Sequence, residues 1–574
     1  MRRFRSLALL GLLLPLTAAA GEPDRVAPFT LPDADGKPWT MPDATAAPVV
    51  VVVFTGTACP VANAYMPTLA KLHAEYAPKG VAFVAVNSVP TDDARAVAAH
   101  AAKHKLPFPA LKDDKQTVAG RFGAETTPEA FVLDHKRAVR YRGRIDDQFG
   151  IGYRRPAPTR RDLAAALDEL LAGKPVTVPR TEVEGCELGR TATPAEKPTV
   201  TYSKDVARIV QAKCQDCHRP GQIGPMPLMS ADDLSAWAPT IKRVVRSDRM
   251  PPWHADPHFG HFANDRRLSA AEKQTLLAWI EQGCPPGDPK DLPPAKSYPD
   301  GWRIGTPDVV VTMPDAYQVP ATVGSSGIAY QYIQVPTHFD HDVWVQAAEA
   351  KPGAKEVVHH IVVYALKPGE GRPRGEDRVG QNLLVAYAPG DLPSVYAPGQ
   401  AKKVPKGSVL LFQLHYTPDG TPREDRSSVG LIFAKEPPKY EVRSRAVMNP
   451  RFVIPAGADG YEVKSAATFH QDTTLVNLLP HMHLRGKAFK FEAVAADGTR
   501  ETLLSVPRYD FNWQSNYRPA EPVTLKAGTR LECTAWYDNS AGNKNNPDPT
   551  KPVRWGDQTW EEMMVGFVDY LVER

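Results

Sequence analysis

The sequence predicts a multidomain protein: an α/β unit first, a small α-helical unit second, and two all-β, jelly-roll-like sandwiches last. Three observations carry this expectation. The 574 residues exceed what one core holds, and typical domain sizes give roughly three or four units. The apolar pattern changes along the chain, from buried strands alternating with helices, to helical spacing, to short alternating runs. A proline-rich run, PPGDPKDLPPAKSYP at 285–299, cannot be helix and reads as an interdomain linker. A weaker boundary lies near 187–198.

Charge and targeting narrow the function classes. Lys plus Arg (69) nearly balance Asp plus Glu (65), and no long basic run follows the N-terminus, so no nucleic-acid partner is expected. The start, MRRFRSLALLGLLLPLTAAAGEP, has a basic region, a short apolar stretch broken by Pro15, and small residues Ala18 and Ala20 before Gly21. It reads as a signal peptide over 1–20, with a membrane anchor as the alternative. No later run is long enough to span a bilayer, so the expected location is periplasmic or secreted, with no transmembrane segment after cleavage. Six Cys are too few for a disulfide scaffold of this size but enough for individual chemical tasks.

In the first unit, 23–190, the strand Val49–Phe54 leads through a turn to Cys59 and a helix of apolar periodicity. Backbone N–H groups at a helix start favour a thiolate, the reactive form of the residue. A strand at Val81–Val86, a further helix and the segment TTPEAFVLD complete a βαβ order. The stretch from Cys59-Pro60 to Ala64-Tyr65, with Thr127-Pro128 ahead of a strand, resembles the thioredoxin-like redoxins. That resemblance implies Pro128, commonly cis, beside Cys59. The chain departs from it where Ala62 replaces the second thiol of a CxxC and Gly56 replaces the peroxiredoxin threonine. Related redoxins end in a GCxI-like segment, so EGCELGR offers Cys186 as a remote partner of Cys59; a buried, inert Cys59 is the other reading.

The second unit, 199–292, contains KCQDCHRPG. Cys214, Cys217 and His218 have the CxxCH spacing that attaches c-type haem through two thioethers, with the adjacent imidazole as axial ligand. A zinc site would need a second ligand pair at zinc spacing, which this stretch lacks. RMPPWHADP offers Met250 as the sixth ligand, before a helix at Ala270–Gln282; Met226, Met229, His254 and His258 are rivals. The segment resembles small cytochromes c, which implies an electron-carrying haem c.

The last 275 residues, 300–440 and 441–574, break into short alternating runs and hold eight of the sixteen His. His359 and His360 lie in KEVVHHIVVY, His415 in FQLHYTPDG, His481 and His483 in PHMHLRGK, and Met563 and Met564 in TWEEMMVGF. Residues i and i+2 on a strand share a face, so His481 and His483 can converge on one ion, with Met482 turned to the core. His359 and His360 can do so only where a bulge re-aims one of them. Imidazoles suit several transition metals, and an added thioether favours copper(I).

These residues in this order resemble the copper type II, ascorbate-dependent monooxygenases, the family of peptidylglycine α-hydroxylating and dopamine β-monooxygenase. The resemblance implies two coppers per chain, one held by His359, His360 and His415, the other by His481, His483 and Met563, with Met564 as rival. It implies hydroxylation of a C–H bond of a small-molecule or peptide substrate with O2, the methionine-bearing site binding O2 and the all-histidine site storing an electron. The donor would be ascorbate or another redox protein, with the haem feeding the coppers. Two further classes stay open: a copper and haem electron-transfer or copper-handling protein without hydroxylase activity, and a thiol-disulfide oxidoreductase whose other domains bind partners. Cys284 and Cys533 have no role in any of these.

Overall fold

Val49–Thr55 (VVVVVFT) is buried at every position and runs through the centre of a five-stranded sheet. Its β-branched residues suit a pleated surface covered on both sides. Val49, Val51 and Val53 join one core while Val50, Val52 and Phe54 join another, the period-two alternation of a strand packed on both faces. It pairs in parallel with Val81–Asn87 and antiparallel with Glu129–Leu133; Ala110–Lys112 and Val139–Gly143 form the edges. Helix Pro60–Tyr76 follows the central strand. The structure, a computed structural model, describes residues 25–574 apart from 34, 156, 191–193, 300, 322, 324–326 and 374–379. The signal segment expected at 1–20 lies outside the described residues.

A helical segment follows, with Ala207–Lys213, Ala231–Ala236, Ala238–Arg246 and Ala270–Glu281. Ser230 and Ser269 each close a capping box that satisfies the first-turn N–H groups. The segment's apolar side is continuous with one face of the α/β core: Val206, Leu234 and Trp237 belong to the same apolar cluster as Cys186 and Leu167.

The remainder is all-β. A nine-stranded sheet runs through both halves of it, and each half adds its own four-stranded sheet. The expected division at 440/441 falls at the start of strand Tyr440–Met448, which pairs in parallel with Gln400–Val404 and so joins the halves edge to edge. Two separate apolar cores result, one around Val345, Phe412 and Leu431, the other around Leu478, Phe491 and Tyr537.

The units pack closely on one another. A Cβ on Gly420 would come within 2.5 Å of Pro67 in helix Pro60–Tyr76, so glycine there permits the approach. The loop after helix Ala238–Arg246 reaches the second sandwich: Asp256 N–H donates to Ser505 O at 2.8 Å, and Trp253 packs edge-on to Tyr517 at 4.8 Å. Among the described residues no helix is long and apolar enough to cross a membrane.

Candidate functional site

His359 and His360 are neighbours on strand Val358–Leu366, and the strand bulges between Val358 and His360 where it pairs with Val409–Tyr416. That bulge is the feature the adjacent pair requires. His360 then stands opposite His415 across the ladder. Ligating nitrogens of His359, His360 and His415 all lie within 4.8 Å of one another. Tyr330 covers the group, its ring 5.1 Å from His360 and 5.0 Å from His415.

The electrostatics keep these imidazoles neutral. Burial pushes His359 down to about 4, helped by the nearby His481 ring, beside which a second proton is disfavoured, and pushes His360 and His415 well below the ordinary range. Both ring nitrogens of His359 and Nδ1 of His415 are buried with no hydrogen-bond partner among the described residues. Orphaned buried polar atoms are uncommon, and several aimed at one point fit a bound cation. Copper suits the donor set, because neutral imidazole is its ligand form.

His481, His483 and Met563 form the second group. Strand Thr473–His481 ends at His481, so His483 lies past the strand and not on one strand face with it, as the spacing had suggested. The turn nevertheless brings the rings to 5.3 Å at 90°. Met482 is fully buried in the core, as expected. His481 Nδ1 is 2.6 Å from Gln514 Oε1 and His483 Nδ1 is 3.3 Å from Glu561 O. Each bond fixes the tautomer and leaves Nε2 as the free donor atom, and His483 Nε2 is buried without a hydrogen-bond partner among the described residues. Burial lowers both imidazoles, His483 well below its ordinary range.

Residues outside the expected set hold this turn. Glu562, fully buried, accepts from His483 N–H at 2.9 Å and Arg485 N–H at 2.7 Å, while burial pushes its carboxyl up to about 7. Arg485, also buried, donates to Asn539 Oδ1 and Trp560 O. Gln514 and Glu562 carried no signal of their own beyond the proximity of Glu562 to Met563. Met564 is buried in the core, whereas Met563 lines a cleft of about 800 Å³ together with His360 and His481. Tyr332, Tyr364, Tyr387 and Trp555 give that cleft aromatic walls.

The haem-type motif sits in the turn after helix Ala207–Lys213. His218 Nδ1 lies 3.0 Å from Met226 O, which commits Nδ1–H to the carbonyl and leaves Nε2 as the only free ring donor atom. Cys214 and Cys217 are free thiols in the same turn. These residues fit covalent haem with a histidine axial ligand. Met250 is half-buried beyond helix Ala238–Arg246, its N–H donating to Val244 O at 3.2 Å. Cys217 and Tyr387 line one small cavity, and Tyr387 also lines the 800 Å³ cleft.

Cys59 caps helix Pro60–Tyr76. Its thiol donates to Thr127 O at 3.1 Å and accepts from Ala62 N–H at 3.5 Å. Cys186 pairs with Thr127 across a two-residue ladder, which brings its thiol into hydrogen-bonding contact with Cys59. Burial alone would push Cys59 up; the bonds from Cys186, Thr127 and Ala62 outweigh it and bring the thiol down to about 7. Cys186 is held high by its bond to Cys59 and by burial. The Thr127-Pro128 peptide is cis. Cys284 and Cys533 are buried free thiols.

Residues 23–142 match the AhpC/TSA family. No curated protein matches the chain. Among solved structures, a hypothetical protein, SMc02350, from Sinorhizobium meliloti 1021 is 35% identical over 29% of this chain and 94% of its own, with a TM-score of 0.27. An uncharacterized conserved protein from Geobacillus kaustophilus is 30% identical over 31% and 96%, with a TM-score of 0.27. A putative thiol:disulfide interchange protein, DsbE, from Chlorobium tepidum is 23% identical over 22% and 85%, with a TM-score of 0.20. Residues 23–142 are a thioredoxin-like redoxin domain of the AhpC/TSA family, joined to a large all-β region.

Proposed function

We propose that the chain is an exported copper-dependent monooxygenase that hydroxylates a C–H bond of an organic substrate bound between the two sandwiches. The observation that carries this reading is the pair of histidine groups at that cleft, with ring nitrogens left free in a buried setting. His359, His360 and His415 would hold one copper, and His481, His483 and Met563 the other. Bound copper would supply one-electron chemistry and activation of O2. The chain's own residues do the rest. Gln514 and Glu561 O fix the tautomers of His481 and His483, Glu562 and Arg485 anchor their turn, and the aromatic walls exclude water from an apolar substrate. Haem c on Cys214, Cys217 and His218, with Met250 as the sixth ligand, would pass electrons inward; Tyr387 between the Cys217 turn and the cleft supports that route. The external donor would be ascorbate or another redox protein.

Elemental analysis combined with substrate-dependent O2 uptake tests this reading. It requires two coppers and one haem iron per chain; zinc in place of copper, or no uptake with any substrate, ends it.

A second reading, a thiol-disulfide oxidoreductase with accessory binding domains, is favoured by the family match and by the contact of Cys59 with Cys186. The family match bears on this reading and not on the first. Loss of insulin-type disulfide reduction in Cys59→Ser, with copper content unchanged, would support it; full activity in that variant would end it.

A further inference from the structure

The redoxin domain does more than carry thiols. With the sandwiches it encloses a second cavity, of about 470 Å³, distinct from the substrate cleft. Helix Pro60–Tyr76 contributes Lys71, strand Tyr153–Arg154 contributes Arg154, and the sandwich side contributes His359 and His415. His415, Tyr416, Ile328 and Phe511 are buried parts of the lining, and Lys71 and Arg154 are exposed.

The charges of this lining do not cancel. Asp419 is its one carboxylate; it pairs with Arg423 at 2.6 Å, and its charge also reaches Arg154, so one carboxylate is shared between two guanidinium groups. Arg155 is likewise committed, to Asp147 at 2.6 Å. Among the described residues Lys71 and Arg154 form no ion pair; Arg154 lies over the Phe149 ring at 5.2 Å, which orients its guanidinium. Two unpaired cations at the open side and the aromatic surfaces of Phe511 and Trp560 inside describe a receptor for a small anion with an apolar body.

We propose that this cavity binds a small organic anion, its carboxylate group held by Arg154 and Lys71 and its body against Phe511 and Trp560. The redoxin domain is then a structural half of the site, which gives the fusion a purpose separate from thiol chemistry. The site stands on the cavity and its charges and needs no metal. A bound anion would lie beside His359 and His415, on the side away from the substrate cleft.

Calorimetric titration of the full-length, metal-free protein tests the site, with benzoate as probe and benzamide as its neutral isostere. Benzoate is expected to bind at one equivalent and benzamide roughly tenfold or more weakly. Arg154→Gln and Lys71→Gln should each weaken benzoate by roughly tenfold with the melting temperature unchanged, because both side chains are exposed. Equal binding of the two probes, no heat with benzoate, or wild-type affinity in Arg154→Gln overturns the proposal. Copper content of separately loaded samples reports on the monooxygenase reading by itself, so either can fail alone.

Discussion

The Phe511 ring lies parallel to the His359 imidazole, 4.5 Å between centroids at 13°, and meets the His483 ring nearly at right angles at 6.0 Å. One buried side chain thus touches both histidine groups and separates them. Phe511→Ala would leave a void against two imidazoles. It is expected to lower stability in urea denaturation of the metal-free protein by about 3–5 kcal/mol. It should also alter the copper electron paramagnetic resonance spectrum, since His359 loses the surface that fixes its plane. Phe511→Tyr should preserve the spectrum.

The buried, unpartnered nitrogens of the first group give the metal-free protein a specific weakness. A polar group left unsatisfied in the interior costs roughly 1–3 kcal/mol, and His415 Nδ1 is one such atom. His415→Phe is therefore expected to melt at or above the wild-type temperature without metal, and to gain nothing from copper at that group. Wild-type protein should gain about 2.7 kcal/mol at a free copper concentration 100 times the dissociation constant. His481→Ala should remove the other copper only. Scanning calorimetry and elemental analysis of both variants check the pair.

What the sequence showed of these sites follows the range of the interactions. Strand Val49–Thr55, the helix behind Cys59 and the alternating strands of the sandwiches are set by local pattern, and each forms the type of element expected, Val49–Thr55 running one residue past its expected end. The histidine pairs were legible because each is a local constellation. The bulge that makes His359 and His360 converge was legible only as a requirement. Phe511, Gln514 and Glu562 were not, because their partners lie 28 to 152 residues away and a lone Phe, Gln or Glu carries no spacing signal. The same holds for Gly420 against Pro67, and for the parallel pairing at Gln400 and Tyr440 that joins one sheet of each expected sandwich into a continuous nine-stranded sheet.

Cys59 should titrate alone. Its thiol is brought down to about 7, whereas Cys214, Cys217, Cys284 and Cys533 are pushed up by burial and Cys186 by its bond to Cys59 and by burial. Thiolate absorbance at 240 nm in the reduced, haem-free protein is expected to rise by one equivalent with a midpoint near pH 7. A thiol depressed from 9.0 in this way contributes stability that is fully present above pH 9 and is lost as pH falls through 7. Cys186→Ala removes the principal bond to the thiolate and leaves burial less opposed, so the midpoint should move upward. An unchanged midpoint would show that Cys186 does not set the reactivity of Cys59.

Gly224 gives the most direct test of the haem turn. A Cβ built on it would stand 2.6 Å from Cys217 O and 2.7 Å from His218 Nδ1, nearer than any real contact tolerates. Its backbone N–H already donates to Cys217 O at 2.8 Å, so the turn cannot open without losing that bond. Gly224→Ala must therefore displace the His218 ring, and with it the bond from Nδ1–H to Met226 O that leaves Nε2 as the free ring nitrogen, the atom that would hold iron on the proposed reading. Covalent haem, measured by pyridine haemochrome, is expected to fall severalfold, and any haem attached should show a shifted midpoint potential. Gly221, which has nothing within 4 Å of the corresponding position, is the matched control in the same loop. Its φ of 81° favours glycine, so Gly221→Asn, which tolerates the left-handed region, should retain haem. Equal haem content in Gly224→Ala and wild type would show that His218 is not held for iron in this way.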